Sequence, residues 1–215
     1  DLLVRLTKAD RDQDHIDAIV LQHATTPDRT AALLDPNAPD PTPALVADAL
    51  RLERMGADFL VLPCNSANIF TEPVERAISI ELLSIVQETA GVALELADGP
   101  IAVFATEGTI HAGTYHDAIS RGGGTAWTPP RPLQDTISAI IYDQVKAGRP
   151  VDLAALHASV DAARESGCSH VIFGCTELSV VYDREGLIER SDVVDSLRTL
   201  AEASIRKAGR VLVDR

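Results

Sequence analysis

Two stretches of the chain repeat each other, and this repeat limits the fold more than any other feature. The segment MGADFLVLPCNSAN (55–68) can be laid on SGCSHVIFGCTELS (166–179). Gly56 lies eight residues before Cys64, and Gly167 lies eight residues before Cys175. In each copy a helix-like segment ends at the glycine, which fits a C-terminal helix stop. An apolar run follows (59–62, and 171–173 with Gly174) and reads as a strand buried on both faces. Then comes the cysteine, and after it polar residues able to open another helix. The preceding helices agree. TPALVADALRLERMG (42–56) starts at Thr42 as N-cap, and DLAALHASVDAARESG (152–167) starts at Asp152.

The repeat predicts an α/β fold: two similar parallel-sheet α/β domains with right-handed crossovers, related by a pseudo-twofold, with an active-site cleft between them. Residues 1–98 plus 187–215 make the first domain and 99–186 the second. The second half also holds GPIAVFATEGTIHAG (99–113), a strand at 101–105 running through a Thr/Gly loop into a helix. Pro100 lies 75 residues before Cys175, and the matching point of the first half falls 12 residues before Asp1. An N-terminal strand and loop are therefore expected to precede the sequence. HIDAIVLQ (15–22) reads as a strand, 79–97 as helical in its later part, and 193–209 as an amphipathic helix with basic residues near its end. RGGGTAW (121–127) reads as a turn before a short strand. It lacks the spacing of either glycine-rich phosphate motif.

Composition narrows the partners. The 215 residues carry a formal net charge of −13. Nucleic acid and anionic membranes need a positive footprint and are not expected. A small anionic substrate needs only one or two local cations. No apolar run reaches the ~18 residues of a membrane span. No charged-then-apolar leader opens the sequence, so no signal peptide is expected. Three cysteines without a CxxC suit neither a disulfide scaffold nor a structural zinc site. The default setting is reducing and cytoplasmic. His111 and His116 are five apart and share no helix face well, so no metal site is expected.

In open α/β sheets ligands sit at the carboxyl ends of the strands. Cys64 and Cys175 would both sit there, each beside a helix N-terminus, a place that lowers a thiol's pKa. A lone cysteine after a strand is commonly a small buried hydrophobe. Two at matched points of two similar halves suggest a functional pair, whereas Cys168 lies opposite Ala57 and reads as structural. Thiols on opposite sides of one cleft suit inversion of a carbon by proton transfer, one acting as base and the other as acid. That arrangement requires no pyridoxal phosphate and no metal, so no cofactor is expected. The carbanion needs positioned donors. Asn65, Ser66, Thr109 and Thr176 offer side-chain or backbone donors, and Ala67 lies in the same loop.

At these residues the sequence resembles the cofactor-independent aspartate/glutamate racemase superfamily, and within it the aspartate racemases, over essentially its whole length. PCNSAN is similar to the family's first cysteine motif, usually Pro-Cys-Asn-Thr-Ala-His, with Ser66 for Thr and Asn68 for His. GCTEL is similar to the second, where glutamate racemases carry a His and Glu177 stands here. ATEGTIHAGTY (105–115) resembles the Ala-Thr-x-Gly-Thr segment. TPDRT (26–30) and YDQVKAG (142–148) resemble the aspartate racemases' Pro-Asp-Arg and Val-Lys-Ala-Gly segments. The resemblance implies an aspartate racemase with Cys64 and Cys175 as the acid/base pair. It places Arg29 and Lys146 on the side-chain carboxylate, and Asn65, Ser66, Ala67, Thr109 and Thr176 around the substrate. It also implies a homodimer. Maleate isomerase, a broad-specificity amino-acid racemase and a non-catalytic dicarboxylate or amino-acid binder are the rival readings.

Overall fold

The structure is a computed structural model, and it describes residues 1–213. Four short strands form a parallel sheet in the order β4-β3-β5-β6: β3 (Ile101–Phe104), β4 (Ala126–Trp127), β5 (His170–Phe173) and β6 (Val193–Asp195). A second parallel sheet pairs β1 (Phe59–Val61) with β2 (Glu81–Leu83). All ladders within the two sheets are parallel, so each connection crosses over, and helices occupy most of the crossovers.

Side-chain alternation assigns the layers. Ala102, Phe104, Val171, Phe173 and Val193 face one side of the four-stranded sheet. There they pack on α8 (Arg131–Ala139), α9 (Leu153–Glu165) and α10 (Thr176–Arg184) through Ile137, Leu156, Val160 and Leu178. Ile101, Val103, Ile172 and Val194 face the other side. They meet α5 (Ile85–Leu96), α7 (Thr114–Arg121) and α11 (Ser196–Lys207) through Ile85, Ala90, Ile119 and Leu200. Strands covered on both faces read as continuous apolar runs, which is how 101–104 and 171–173 appear.

The helix stops fall where the repeat put them. α3 (Thr42–Arg54) and α9 each end just before a glycine in the left-handed region, Gly56 at φ +91° and Gly167 at φ +90°. Glycine takes that conformation without the backbone strain that an L side chain carries there. Asp152 caps α9 by accepting the Ala155 N–H at 2.9 Å. For α3 the cap shifts upstream. Thr42 is already helical, and Asp40 accepts its N–H at 2.8 Å.

Other expectations are corrected. Residues 15–22 carry no regular secondary structure and enter no ladder among the described residues, and Val20 is 85 % exposed. A strand needs a hydrogen-bonded neighbour. Here a cavity of about 580 Å³ is lined by Ile19 and Leu21 as well as by Val61 and Pro63. β1 pairs only with β2 among the described residues, and only Leu60 of its three residues is buried. It is therefore not the doubly covered strand that its apolar run suggests. Residues 193–195 are strand rather than helix: β-branched Val193 and Val194 pair with β5, and Asp195 then caps α11. Within 187–215, β6 lies in the four-stranded sheet and α11 in the layer over it. α1 (Leu2–Leu6) lies on α11 through Leu6, Ala201 and Ile205.

Candidate active site

Cys64 follows β1 and Cys175 follows β5, at the carboxyl ends of strands from the two different sheets. Both line one small polar cavity of about 50 Å³, together with Arg29, Ser66, Thr109 and Lys146. Asp28, Thr30, Asn65, Thr106, Gly174, Thr176 and Glu177 complete its wall. Residues spread over nearly 150 positions of sequence thus converge on a space holding only a few waters. Of the predicted site residues, Ala67 alone stands apart. It faces a neighbouring, more apolar cavity of about 320 Å³, which Cys64 and Arg29 also border.

The two thiols have different surroundings. Cys64 is half-buried, and its Sγ lies 3.6 Å from Ser66 Oγ. A 3₁₀ turn (Ser66–Phe70), not an α-helix, follows it. The Asn68 amide braces the loop by donating to the carbonyls of Leu62 (3.1 Å) and Cys64 (2.8 Å). Cys175 is buried and occupies the N-cap position of α10. Its Sγ donates to the Glu177 carboxylate at 2.9 Å. A lowered pKa was expected from the helix N-terminus. The structure gives the reverse: burial pushes the Cys175 thiol up, the Glu177 charge adds to this, and Lys146 only partly offsets it.

The cations are held but reachable. Arg29 is the first residue of α2 (Arg29–Leu34), which Asp28 caps by accepting the Ala31 N–H at 2.8 Å. Its guanidinium donates to the carbonyls of Thr26 (3.3 Å) and Pro27 (3.1 Å), so backbone sets the fork, and no carboxylate pairs with it among the described residues. Lys146 follows a π-helical turn (Ile140–Val145), sits over the Tyr142 ring at 4.6 Å, and reaches Glu177 Oε1 at 3.9 Å.

Behind the cavity runs a buried polar chain. Tyr115 Oη donates to Asn65 Oδ1 at 2.6 Å, and Asn65 Nδ2 donates to Ser196 Oγ at 3.1 Å. Both ends of the Asn65 side chain are therefore occupied by protein. Thr106 caps α6 (Glu107–Ala112), and its Oγ1 lies 3.0 Å from Thr109 Oγ1. Thr176 Oγ1 donates to Glu177 Oε2 at 3.2 Å. Sequence reasoning passed over Tyr115 and Glu177 as site residues. Glu177 was visible as the residue after Cys-Thr, whereas nothing local distinguished Tyr115.

Two thiols thus line one polar cavity of a parallel α/β fold, beside an Arg and a Lys. The Asp/Glu/Hydantoin racemase family model matches residues 1–204, and the chain belongs to that family. It is 26 % identical over 162 residues to the broad specificity amino-acid racemase RacX of Bacillus subtilis, covering 75 % of this chain and 70 % of that one. A glutamate racemase of Aquifex aeolicus is 24 % identical over 155 residues, 71 % of this chain, which spans only 59 % of that relative. Among solved structures, the Picrophilus torridus aspartate racemase superposes with a TM-score of 0.81 at 23 % identity, over 99 % of this chain and 87 % of that chain. An aspartate racemase homologue of Pyrococcus horikoshii superposes with a TM-score of 0.67 at 21 % identity, over 79 % and 74 %. These likenesses establish the fold.

Proposed function

We propose that the protein is a pyridoxal-independent amino-acid racemase acting on aspartate by two-base proton transfer between Cys64 and Cys175. The observation carrying this reading is that both thiols line one cavity with Arg29 and Lys146. One sulfur takes the α-proton, and the other delivers a proton to the opposite face. The roles exchange in the reverse direction. The carbanion between them is stabilised by donors near the α-carboxylate: the Ser66, Thr109 and Thr176 hydroxyls and the backbone at the start of α10. With its side chain occupied, Asn65 serves through its backbone N–H and as the brace for the Cys64 loop. The paired cations favour a substrate with a second carboxylate, the Arg fork for direction and the Lys as a point charge.

The test uses single enantiomers in deuterated water, with chiral analysis and α-deuterium read together. Cys64→Ala and Cys175→Ala are each expected to lower racemisation of aspartate by about 100-fold or more. Full racemisation in either variant would sink the two-base reading. The likeness to RacX favours a second reading, a broader substrate range. A panel of amino acids separates the two, because Arg29→Ala lowers the rate with aspartate far more than with an uncharged substrate only if the cation pair selects. A homodimer is part of the same proposal, and sedimentation at several concentrations tests it.

A further inference from the structure

The polar cavity that both thiols line is small, about 50 Å³. One of its wall residues is placed as a substrate's carboxylate would be. Glu177 puts one oxygen 3.9 Å from Lys146 Nζ, and the other accepts from Cys175 Sγ at 2.9 Å and from Thr176 Oγ1 at 3.2 Å. It thus ties up a cation, a hydroxyl and a thiol of the site at once. It lies in the first turn of α10 with 22 % of its side chain exposed, so solvent is open to it on one side.

We propose that Glu177 is a resident carboxylate stopper. In the free protein it fills the carboxylate place beside Lys146 and holds Cys175 as a thiol, and the incoming substrate carboxylate displaces it. No bond is made or broken. The proton stays on sulfur, the Glu177 carboxylate leaves with its charge, and Lys146 exchanges one carboxylate for another. The displacement step rests on the dicarboxylate reading above; the hold on the Cys175 proton does not. Burial and the Glu177 charge already bias Cys175 toward the thiol. The groups facing it are Glu177 and Thr176 from α10, Lys146 from the end of the π-helical turn, Tyr115 from α7, and Cys64, Asp28 and Arg29 across the cavity.

The experiment replaces Cys64 and Cys168 by Ser in the full chain, leaving Cys175 as the sole thiol, and follows thiolate absorbance near 240 nm against pH. Glu177→Gln is expected to lower the midpoint by about one pH unit or more, and Lys146→Met is expected to raise it. A merely structural role would move both the same way or neither. A midpoint that does not fall in Glu177→Gln overturns the hold on the proton, whatever any racemase assay shows. Displacement is read separately by calorimetry with succinate, a dicarboxylate with no α-amino group. Binding is expected to be several-fold tighter in Glu177→Gln than in the unaltered protein. Equal affinity in the two overturns the stopper. Succinate binding to neither, with the thiolate shift intact, overturns the dicarboxylate reading and with it the displacement step.

Discussion

Gly174 precedes Cys175, and nothing at its own position says why it has to be glycine. A Cβ there would lie 2.8 Å from Tyr115 Cε2. The Tyr115 ring is buried and its hydroxyl is tied to Asn65, so it cannot swing aside. Gly174→Ala is expected to cost about 1–3 kcal/mol in urea unfolding. Asp195 is another residue whose state depends on distant neighbours. Its Oδ1 accepts the Arg198 N–H at 2.8 Å, while the buried Oδ2 lacks a well-formed hydrogen bond among the described residues. Only 4 % of the residue is exposed, and burial pushes its carboxyl up to about 6 from 3.8. Between those values the folded state keeps a proton that the unfolded chain has released. Stability therefore falls as pH rises from about 4 to 6, by at most about 3 kcal/mol. Asp195→Asn keeps the capping oxygen and removes the charge. It is expected to flatten that slope and to be more stable at pH 8, by about 1–2 kcal/mol, measured by urea unfolding across the pH range.

The elements obey local chemistry where their signals are local. Gly56 and Gly167 stop α3 and α9 in the same conformation, and a Cβ at either meets nothing within 4 Å. The penalty for alanine is then backbone strain alone. Gly56→Ala and Gly167→Ala are expected to lose similar amounts, about 1–2 kcal/mol each; a much larger loss at one would mean that the two stops are not equivalent. Asp152→Ala removes the cap of α9 and is expected to cost about 1 kcal/mol, read as a shift in the unfolding midpoint. Strands were less legible than helices. The apolar run at 15–22 reads as a strand by composition yet pairs with no strand among the described residues, while 193–195 reads as part of a helical pattern and pairs with β5. Periodicity reports which face of an element is apolar. It does not report whether a neighbour lies alongside.

At the scale of the molecule, the two sheets are joined through helices. α5 follows β2 of one sheet yet packs on α11 and on the four-stranded sheet, so Leu83, Ile85, Val194 and Leu200 share one core. Leu200→Ala is expected to destabilise by about 2–5 kcal/mol. The loss should appear alike in probes of both sheets, because the cluster spans them. Two transitions that separate in this variant would show that the sheets unfold independently.

The Gly–apolar run–Cys repeat, its helix stops, the N-cap at Asp152 and the two thiols at strand ends follow from the sequence by itself. These features arise within a few residues of one another, where sterics and hydrogen bonding act along the chain. The tertiary structure alone decided the rest. Burial and the neighbouring Glu177 carboxylate push the Cys175 thiol up, against the lowering that the helix terminus alone suggests. Asn65 braces Tyr115 and Ser196, and β1 has only one partner among the described residues. Each of these depends on which side chains arrive from tens of residues away, and desolvation and pairing are properties of that assembled neighbourhood, not of any one stretch of chain.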